Sequence, residues 1–308
     1  MRKIDNKIII TGASGWLGIE LISFLHKNFG DSVLENIYPI SSSLEFLDFD
    51  FGKVKCYKIN ELENIDNAIL YHFAFIAKDR VSSFDDQGYI NANLDIRNSI
   101  KSLIENNDIK AMLYSSSGAV YSRGTNELIT SQEKDIYGYC KALDEEFFKD
   151  LCKKRDIKLL IPRIFSILGK FINKNGVFAV KDMILQAKNS KIIKINSKAK
   201  TYRNYINICD IYKIADCFFS DKFYIYKITD CFFSDKFYVF DTFGQTLEMQ
   251  ELANLIFETV KITPNIDRNF DDTLPSDNYF GKYEKQNYLL EKYSLSLYSI
   301  KESLREMI

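Results

Sequence analysis

Apolar residues in the first half of the chain fall into short unbroken runs separated by longer stretches of helical spacing. Residues 7–11 carry Ile8, Ile9 and Ile10 in succession and predict a buried strand. Over residues 17–27 the apolar positions recur every three to four residues, which predicts an amphipathic helix. The same reasoning predicts strands over 36–40, 54–59, 68–74, 111–115 and 159–165, and helices over 89–106 and 137–154. Strand–helix alternation of this kind builds a mostly parallel sheet, because parallel neighbours need a crossover that returns the chain to the same end. The expected fold is α/β: a doubly wound parallel sheet with helices on both faces. The regularity loosens after about Ile167. There an isolated helix near 177–187 is expected among long polar loops and a Tyr/Phe-rich stretch. The chain therefore divides into residues 1–166, a nucleotide-binding domain, and 167–308, a smaller substrate lobe with some segments returning to the main sheet.

Composition narrows the partners. With 41 basic and 42 acidic residues the charges nearly cancel, so a nucleic-acid partner, which needs a basic surface, is not expected. The apolar run at residues 8–10 is too short for a signal-peptide core or a membrane span, and no membrane association is expected. Six cysteines form no C-x-x-C pair, and there are only 2 histidines, His26 and His72. Neither a metal site nor a disulfide framework is therefore expected, and the reading is a cytoplasmic protein with reduced thiols. One internal repeat stands out: DCFFSDKFY at residues 216–224 returns at 230–238. A single repeat is not a solenoid and reads as a local duplication.

The chemistry begins at Thr11-Gly12-Ala13-Ser14-Gly15-Trp16-Leu17-Gly18, which follows the first strand and opens the first helix. Gly12 permits a tight turn, Gly15 lets backbone approach a pyrophosphate, and Gly18 permits close packing of helix on strand. The helix N-terminus offers unpaired N–H groups and the positive end of its dipole to phosphate. A second pair, Tyr137 and Lys141, is spaced i, i+4 and so shares one helix face. A tyrosine of pKa about 10 is a poor base at neutral pH. An ammonium nearby and the charge of an oxidised nicotinamide both favour its phenolate. Tyr137 can then take a hydroxyl proton as hydride leaves the same carbon, while Ser117 hydrogen-bonds and orients the reacting oxygen.

These motifs resemble, in order, those of the extended short-chain dehydrogenase/reductases, the NAD-dependent epimerase/dehydratase family. The turn resembles T-G-x-x-G-x-x-G, and His72-Phe73-Ala74-Phe75 resembles H-x-A-A. Residues 115–121, SSSGAVY, resemble S-S-x-x-V-Y, and Tyr137 to Lys141 matches Y-x-x-x-K. Arg163-Ile164-Phe165 with Gly169 resembles R-x-F…G, and Arg203 with Tyr205, Ile206, Ile208 and Asp210 resembles R-x-[FY]-[IV]…V-x-D. The resemblance covers about residues 7–210. It implies a Rossmann-like domain and a nucleotide-sugar substrate, with Ser117, Tyr137 and Lys141 catalytic. NAD(P) would be held by Gly12, Ser14, Gly15, Trp16, Leu17, Gly18, Ser41, Ser42, Phe73, Ala74, Asn93, Tyr137, Lys141 and Ile164. Substrate would meet Ser117, Ser166 and Arg203, whose fork suits a diphosphate. A homodimer through the helices of Asn93 and Tyr137 is also implied. His72 reads as a packed strand-end histidine before an acid–base group.

Three departures sharpen this. Ser41, Ser42 and Ser43 replace the acid that would take the adenosine ribose hydroxyl, a slight lean toward NADP. Gly118 and Ala119 stand where dehydratases of the family carry Asp-Glu, which disfavours dehydration. Ser166 stands where epimerases often have Asn. The expected reaction is hydride exchange at a sugar carbon, C4, as a 4-keto-sugar reductase or an epimerase. The alternatives are a non-catalytic NAD(P)-sensing protein and a reductase of a non-sugar ketone.

Overall fold

Ile8, Ile9 and Ile10 are each 3% exposed or less, and they face two different cores. Ile8 and Ile10 pack with one hydrophobic cluster and Ile9 with another, so the strand they form has apolar layers on both faces. In the computed structural model, residues 6–122, 125, 127–133, 135–172, 178–220 and 236–308 are described. The first half runs β1 (Lys7–Thr11), α1 (Trp16–Phe29), β2 (Ile37–Ile40), β3 (Phe46–Phe49), β4 (Gly52–Lys55), β5 (Ala68–His72), α2 (Asp86–Glu105), β6 (Ile109–Tyr114), β7 (Ser116–Ser117), α3 (Ile136–Arg155) and β8 (Lys158–Ile164). The second half runs β9 (Ser166–Leu168), α4 (Ala179–Asn189), β10 (Ile193–Lys194), β11 (Thr201–Asn207), α5 (Ile208–Ser220), β12 (Phe237–Asp241), β13 (Gln245–Glu248), α6 (Met249–Val260), β14 (Ile266–Asp267), β15 (Asp277–Tyr279), α7 (Glu284–Lys292) and α8 (Ile300–Met307).

The main sheet has the order β12-β8-β6-β5-β1-β2, with β7 beside β8, and its pairings are parallel. The chain leaves β1 for β2 on one side and returns to β5 on the other, so the strand order reverses between β1 and β5. A crevice opens outside the carboxyl ends of strands at such a reversal. Pro39 sits in β2, at the sheet edge, where a missing N–H disturbs no further strand. A smaller sheet, β13-β11-β15 with β9 beside β11, and the pair β10-β14 lie in the second half, while β12 of that half joins the main sheet.

Two predicted strands need correction. The run at 54–59 is not a main-sheet strand: β4 pairs antiparallel with β3 as a hairpin, and only Tyr57 makes an isolated parallel bridge to Ile40. Its pattern explains this, since Val54 is buried between exposed Lys53 and Lys55, and a strand covered on both faces cannot carry lysines. The strand expected over 68–74 stops at His72: the Phe73 N–H still reaches the Thr11 carbonyl at 3.2 Å, shared with the Thr11 hydroxyl, but the Ala74 N–H turns to that hydroxyl alone at 3.3 Å. Side-chain caps set the helix starts: Asp85 accepts from the Gly88 N–H at 2.6 Å and Asp135 from the Gly138 N–H at 3.1 Å. The second cap places Tyr137 in the first turn of α3. Of the duplicated segment, residues 216–220 end α5 and residues 237–238 begin β12. The rest of the duplication, residues 221–235, lies outside the described residues.

Candidate active site

The glycine turn sits at the β1/β5 crevice. Gly12 has φ +66°, and a Cβ there would lie 2.7 Å from the Ala74 nitrogen, so only glycine allows this turn to rest on the end of β5. A Cβ on Gly18 would lie 2.5 Å from the Ala13 Cα. The close contact expected there is thus between helix and turn, rather than helix and strand. Gly15 differs: a Cβ would meet only the Gly12 carbonyl oxygen, at 3.2 Å, and Ser14 and Gly15 are exposed. No side chain caps α1. Its first N–H groups therefore face an open side, as a pyrophosphate requires, and the residues present fit a dinucleotide.

The turn is held from behind. Tyr212 donates to the Leu17 carbonyl at 2.6 Å. Trp16 donates through Nε1 to Glu20 at 3.2 Å, and the Glu20 carboxylate also accepts the Phe171 N–H at 2.7 Å. Burial raises the Glu20 pKa against these bonds. The helix that carries the turn is thus tied to the second half of the chain.

Tyr137 and Ser117 come together, with a residue the sequence did not single out. The Ser117 hydroxyl interacts with the phenols of both Tyr137 and Tyr279, favouring the phenolate of each. It also accepts the Ala119 N–H at 3.1 Å. Burial outweighs Ser117 at Tyr137 and, with help from Tyr279 and Asp135, pushes that phenol up to about 12. Tyr279 arrives through β15, paired with β11 so that it stands opposite Arg203. Its ring packs 4.9 Å from Phe165, and Phe165 covers Gly118, where a Cβ would lie 2.5 Å from the ring. Thus no acid stands at the Gly118–Ala119 turn. Ile164 pairs with Ser117 across β8 and β7, and Ser166 stands opposite Tyr205.

Lys141 is placed differently from expectation. It is 4% exposed and donates to the Ser115 carbonyl at 2.8 Å. Its ammonium lies 3.8 Å from the centre of the Phe75 ring, and that ring stands edge-on to Tyr137 at 5.7 Å. Phe75, where the resembling motif has Ala, therefore packs against both the ammonium and the Tyr137 ring. Burial dominates at Tyr137, and the group that lowers its phenol is the Ser117 hydroxyl rather than the Lys141 ammonium expected from the spacing. Burial also lowers Lys141 itself, against the opposing pull of Asp144 and Glu145.

His72 and Asn93 serve the framework. The Thr11 hydroxyl accepts the Phe73 and Ala74 amides, so its own proton points to His72 Nδ1, 2.7 Å away. Burial, then Lys141, holds the imidazole down to about 3 and hence neutral. Asn93 is no surface residue. At 2% exposure it accepts the Ile76 N–H at 3.0 Å and donates to the Tyr89 carbonyl at 3.1 Å, fixing the loop after β5.

Arg203 has its fork turned to Asp277, with 2.8 Å to the carboxylate and 3.1 Å to the carbonyl oxygen. Ser41 is buried, its hydroxyl accepting the Ser43 and Leu44 N–H groups at 3.4 and 3.1 Å, while Ser42 and Ser43 are exposed. A polar network carries the far wall of the site. Arg163 grips Glu145 through two bonds of 2.8 and 2.6 Å and donates to Tyr121 at 2.6 Å. Tyr121 donates to Asp241 at 2.9 Å, and Asp241 accepts the Lys282 N–H at 2.9 Å. This chain of bonds anchors the segment that follows Tyr279.

The fold is shared with known proteins. A probable UDP-arabinose 4-epimerase 3 of Arabidopsis thaliana is 24% identical over 181 residues, covering 53% of this chain and 44% of the relative. The chain spans about half the length of the curated relatives it matches. Among solved structures, RMD from Pseudomonas aeruginosa complexed with NADPH superposes with a TM-score of 0.70 at 16% identity, covering 98% of this chain and 97% of that one. A UDP-N-acetylglucosamine 4-epimerase from Methanobrevibacter ruminantium M1, in complex with UDP-N-acetylmuramic acid, does so with 0.70 at 18% identity, covering 99% and 97%. No helix among the described residues is long and apolar enough to cross a membrane. The sequence model of the NAD dependent epimerase/dehydratase family matches residues 8–223; the chain belongs to that family.

Proposed function

We propose that the chain is an NAD(P)-dependent oxidoreductase that interconverts hydroxyl and ketone at C4 of a nucleotide-linked sugar. The observation that carries this is the meeting of the Tyr137 phenol and the Ser117 hydroxyl at the carboxyl end of the sheet, where the uncapped glycine turn opens. Gly12, Ser14, Gly15, Trp16, Leu17 and Gly18 would hold the pyrophosphate, with Ser41, Ser42, Phe73, Ala74 and Ile164 along the rest of the dinucleotide. Asn93 would act by fixing the loop after β5. When bound, the nicotinamide supplies two-electron exchange at the sugar carbon and, when oxidised, a positive charge that favours phenolate. In that setting Tyr137 takes the proton of the sugar hydroxyl in one direction and returns it in the other. Ser117 donates to the same oxygen and holds it against the phenol. Lys141 reaches a ribose hydroxyl once Phe75 yields its place over the ammonium. Arg203 meets the diphosphate by exchanging the Asp277 carboxylate for phosphate oxygens. A homodimer through α2 and α3 completes the reading.

Ser166, in place of an epimerase-like Asn, favours net reduction of a 4-keto sugar. The second reading is 4-epimerisation, favoured by the names of the curated relatives. A thermal-shift panel of nucleotide sugars, with and without NADPH or NADH, tests the substrate class. The melting temperature should rise with a dinucleotide and rise again only with a sugar that carries a nucleoside diphosphate. A dinucleotide shift to which no nucleotide sugar adds would overturn the substrate class.

A further inference from the structure

We propose that Lys58 is the cation that selects a 2′-phosphorylated dinucleotide. This rests on the reading of the Gly12–Gly18 turn as a dinucleotide site. In a β1–α1–β2 unit of this kind the adenosine ribose lies beyond the end of the second strand, where an acid takes the 2′-hydroxyl or a cation accommodates a 2′-phosphate. Here β2 ends at Ile40 and Ser41, Ser42 and Ser43 follow. None can repel a phosphate, and the exposed Ser42 and Ser43 bring hydroxyl donors.

Lys58 is carried to this place by the segment after β4. The Tyr57 N–H donates to the Pro39 carbonyl at 2.8 Å, and the Ser41 N–H donates to the Tyr57 carbonyl at 3.1 Å. These bonds lay residue 57 along the end of β2, so residue 58 stands over the loop. Its ammonium donates to the Ser42 carbonyl at 2.9 Å and the Ser41 carbonyl at 3.3 Å. Two carbonyls leave the third N–H of a lysine open, and neither carbonyl neutralises the charge. The neighbouring acid, Glu61, spends a carboxylate oxygen on the Lys58 backbone N–H at 2.8 Å. Among the described residues, no carboxylate forms an ion pair with the Lys58 ammonium. A partly exposed ammonium, without an acidic partner among the described residues, is thus fixed on the loop that carries the exposed Ser42 and Ser43, where the strand geometry puts the ribose. A hydrogen bond between charged groups, set against no repulsion from an acid, corresponds to a preference for NADPH over NADH of about ten- to a hundredfold.

The single tryptophan, Trp16, lies in the glycine turn, so its quenching by NADH and by NADPH reports binding without turnover. The wild-type chain should bind NADPH about ten to a hundred times more tightly than NADH. Lys58→Ala should bring the ratio close to one while leaving NADH affinity unchanged, which also shows that the fold is intact. Lys58→Arg should keep the preference, and so should Lys53→Ala, which removes a hairpin lysine close to Asp48. A wild-type chain that binds NADH as well as or better than NADPH overturns the proposal. So does a Lys58→Ala variant that weakens both alike, since that is the behaviour of a strut on two carbonyls. If neither dinucleotide binds, the reading of the glycine turn itself fails and Lys58 falls with it.

Discussion

Ser117 is shared by two phenols, and this separates a catalytic tyrosine from a packed one. Tyr137→Phe and Tyr279→Phe each remove one hydroxyl from the same serine. A hydrogen bond of this kind contributes about 0.5–1.5 kcal/mol net, so both variants should lose a similar and small amount of stability. At Tyr137 burial opposes ionisation: a rise from 10.0 to about 12 corresponds to roughly 3 kcal/mol against the phenolate. Substrate and cofactor must offset that before the phenol can serve as a base, and a phenylalanine can never do so. Loss of a positioned proton-transfer group costs about 10²–10⁴ in rate. Tyr137→Phe should therefore lose that much in kcat while cofactor affinity stays within a few-fold. Tyr279→Phe should retain kcat to within about tenfold, because its ring contact with Phe165 survives. The assay is steady-state turnover of a nucleotide sugar alongside a cofactor titration and thermal unfolding of each variant. Retention of more than about a tenth of the wild-type rate by Tyr137→Phe, far above the usual loss, would remove Tyr137 from the mechanism. Equal losses in both variants would show only that Ser117 needs packing on both sides.

Further tests follow from the same geometry. Gly15→Ala adds a methyl that meets only the Gly12 carbonyl oxygen, so thermal stability should change little while dinucleotide affinity collapses. Gly18→Ala drives a methyl onto the Ala13 backbone and should lower stability by about 1–3 kcal/mol; equal melting temperatures for the two variants would contradict this. His72 binds its proton less readily folded, at about 3, than at its ordinary 6.5. Its contribution is therefore complete above pH 6.5 and lost as pH falls toward 3, by up to about 5 kcal/mol. Chemical denaturation across that range should show His72→Asn with a flatter acid slope than wild type, and parallel slopes would refute the assignment. Deleting residues 216–229 puts the second DCFFSDKFY directly behind Ala215, restoring the residues that end α5 and begin β12. The deletion protein should stay soluble and bind dinucleotide; aggregation would show that both copies are integral.

The parts of the fold legible in the sequence are those whose cause is local. The three isoleucines of β1 and the glycine turn each act within one or two turns of chain, whereas the Asp85 and Asp135 caps that set the starts of α2 and α3 went unread. The hairpin β3–β4 was missed because a short apolar run does not say whether its neighbour is the main sheet or its own return strand. Lys53 and Lys55, flanking Val54, were the signal against a strand covered on both faces. Tyr279 could not be read, since only the register of β15 on β11 brings it to Ser117. The framework role of Asn93 could not be read, because its partner, the Ile76 N–H, is fixed by tertiary structure. Phe75 was visible as a departure in the quoted motif, but its place over Lys141 depends on how α3 packs beneath the loop after β5.

The most direct test of the account is to mix the purified chain with nucleotide 4-keto sugars and stoichiometric NADPH or NADH. The nicotinamide absorbance and the sugar product are then followed together. The account predicts loss of absorbance matched mole for mole by a sugar reduced at C4. Interconversion of two nucleotide sugars with no added cofactor and no net absorbance change would replace reduction by epimerisation at the same residues. A protein that binds both dinucleotide and nucleotide sugar yet leaves every C4 unchanged would contradict the proposed chemistry outright.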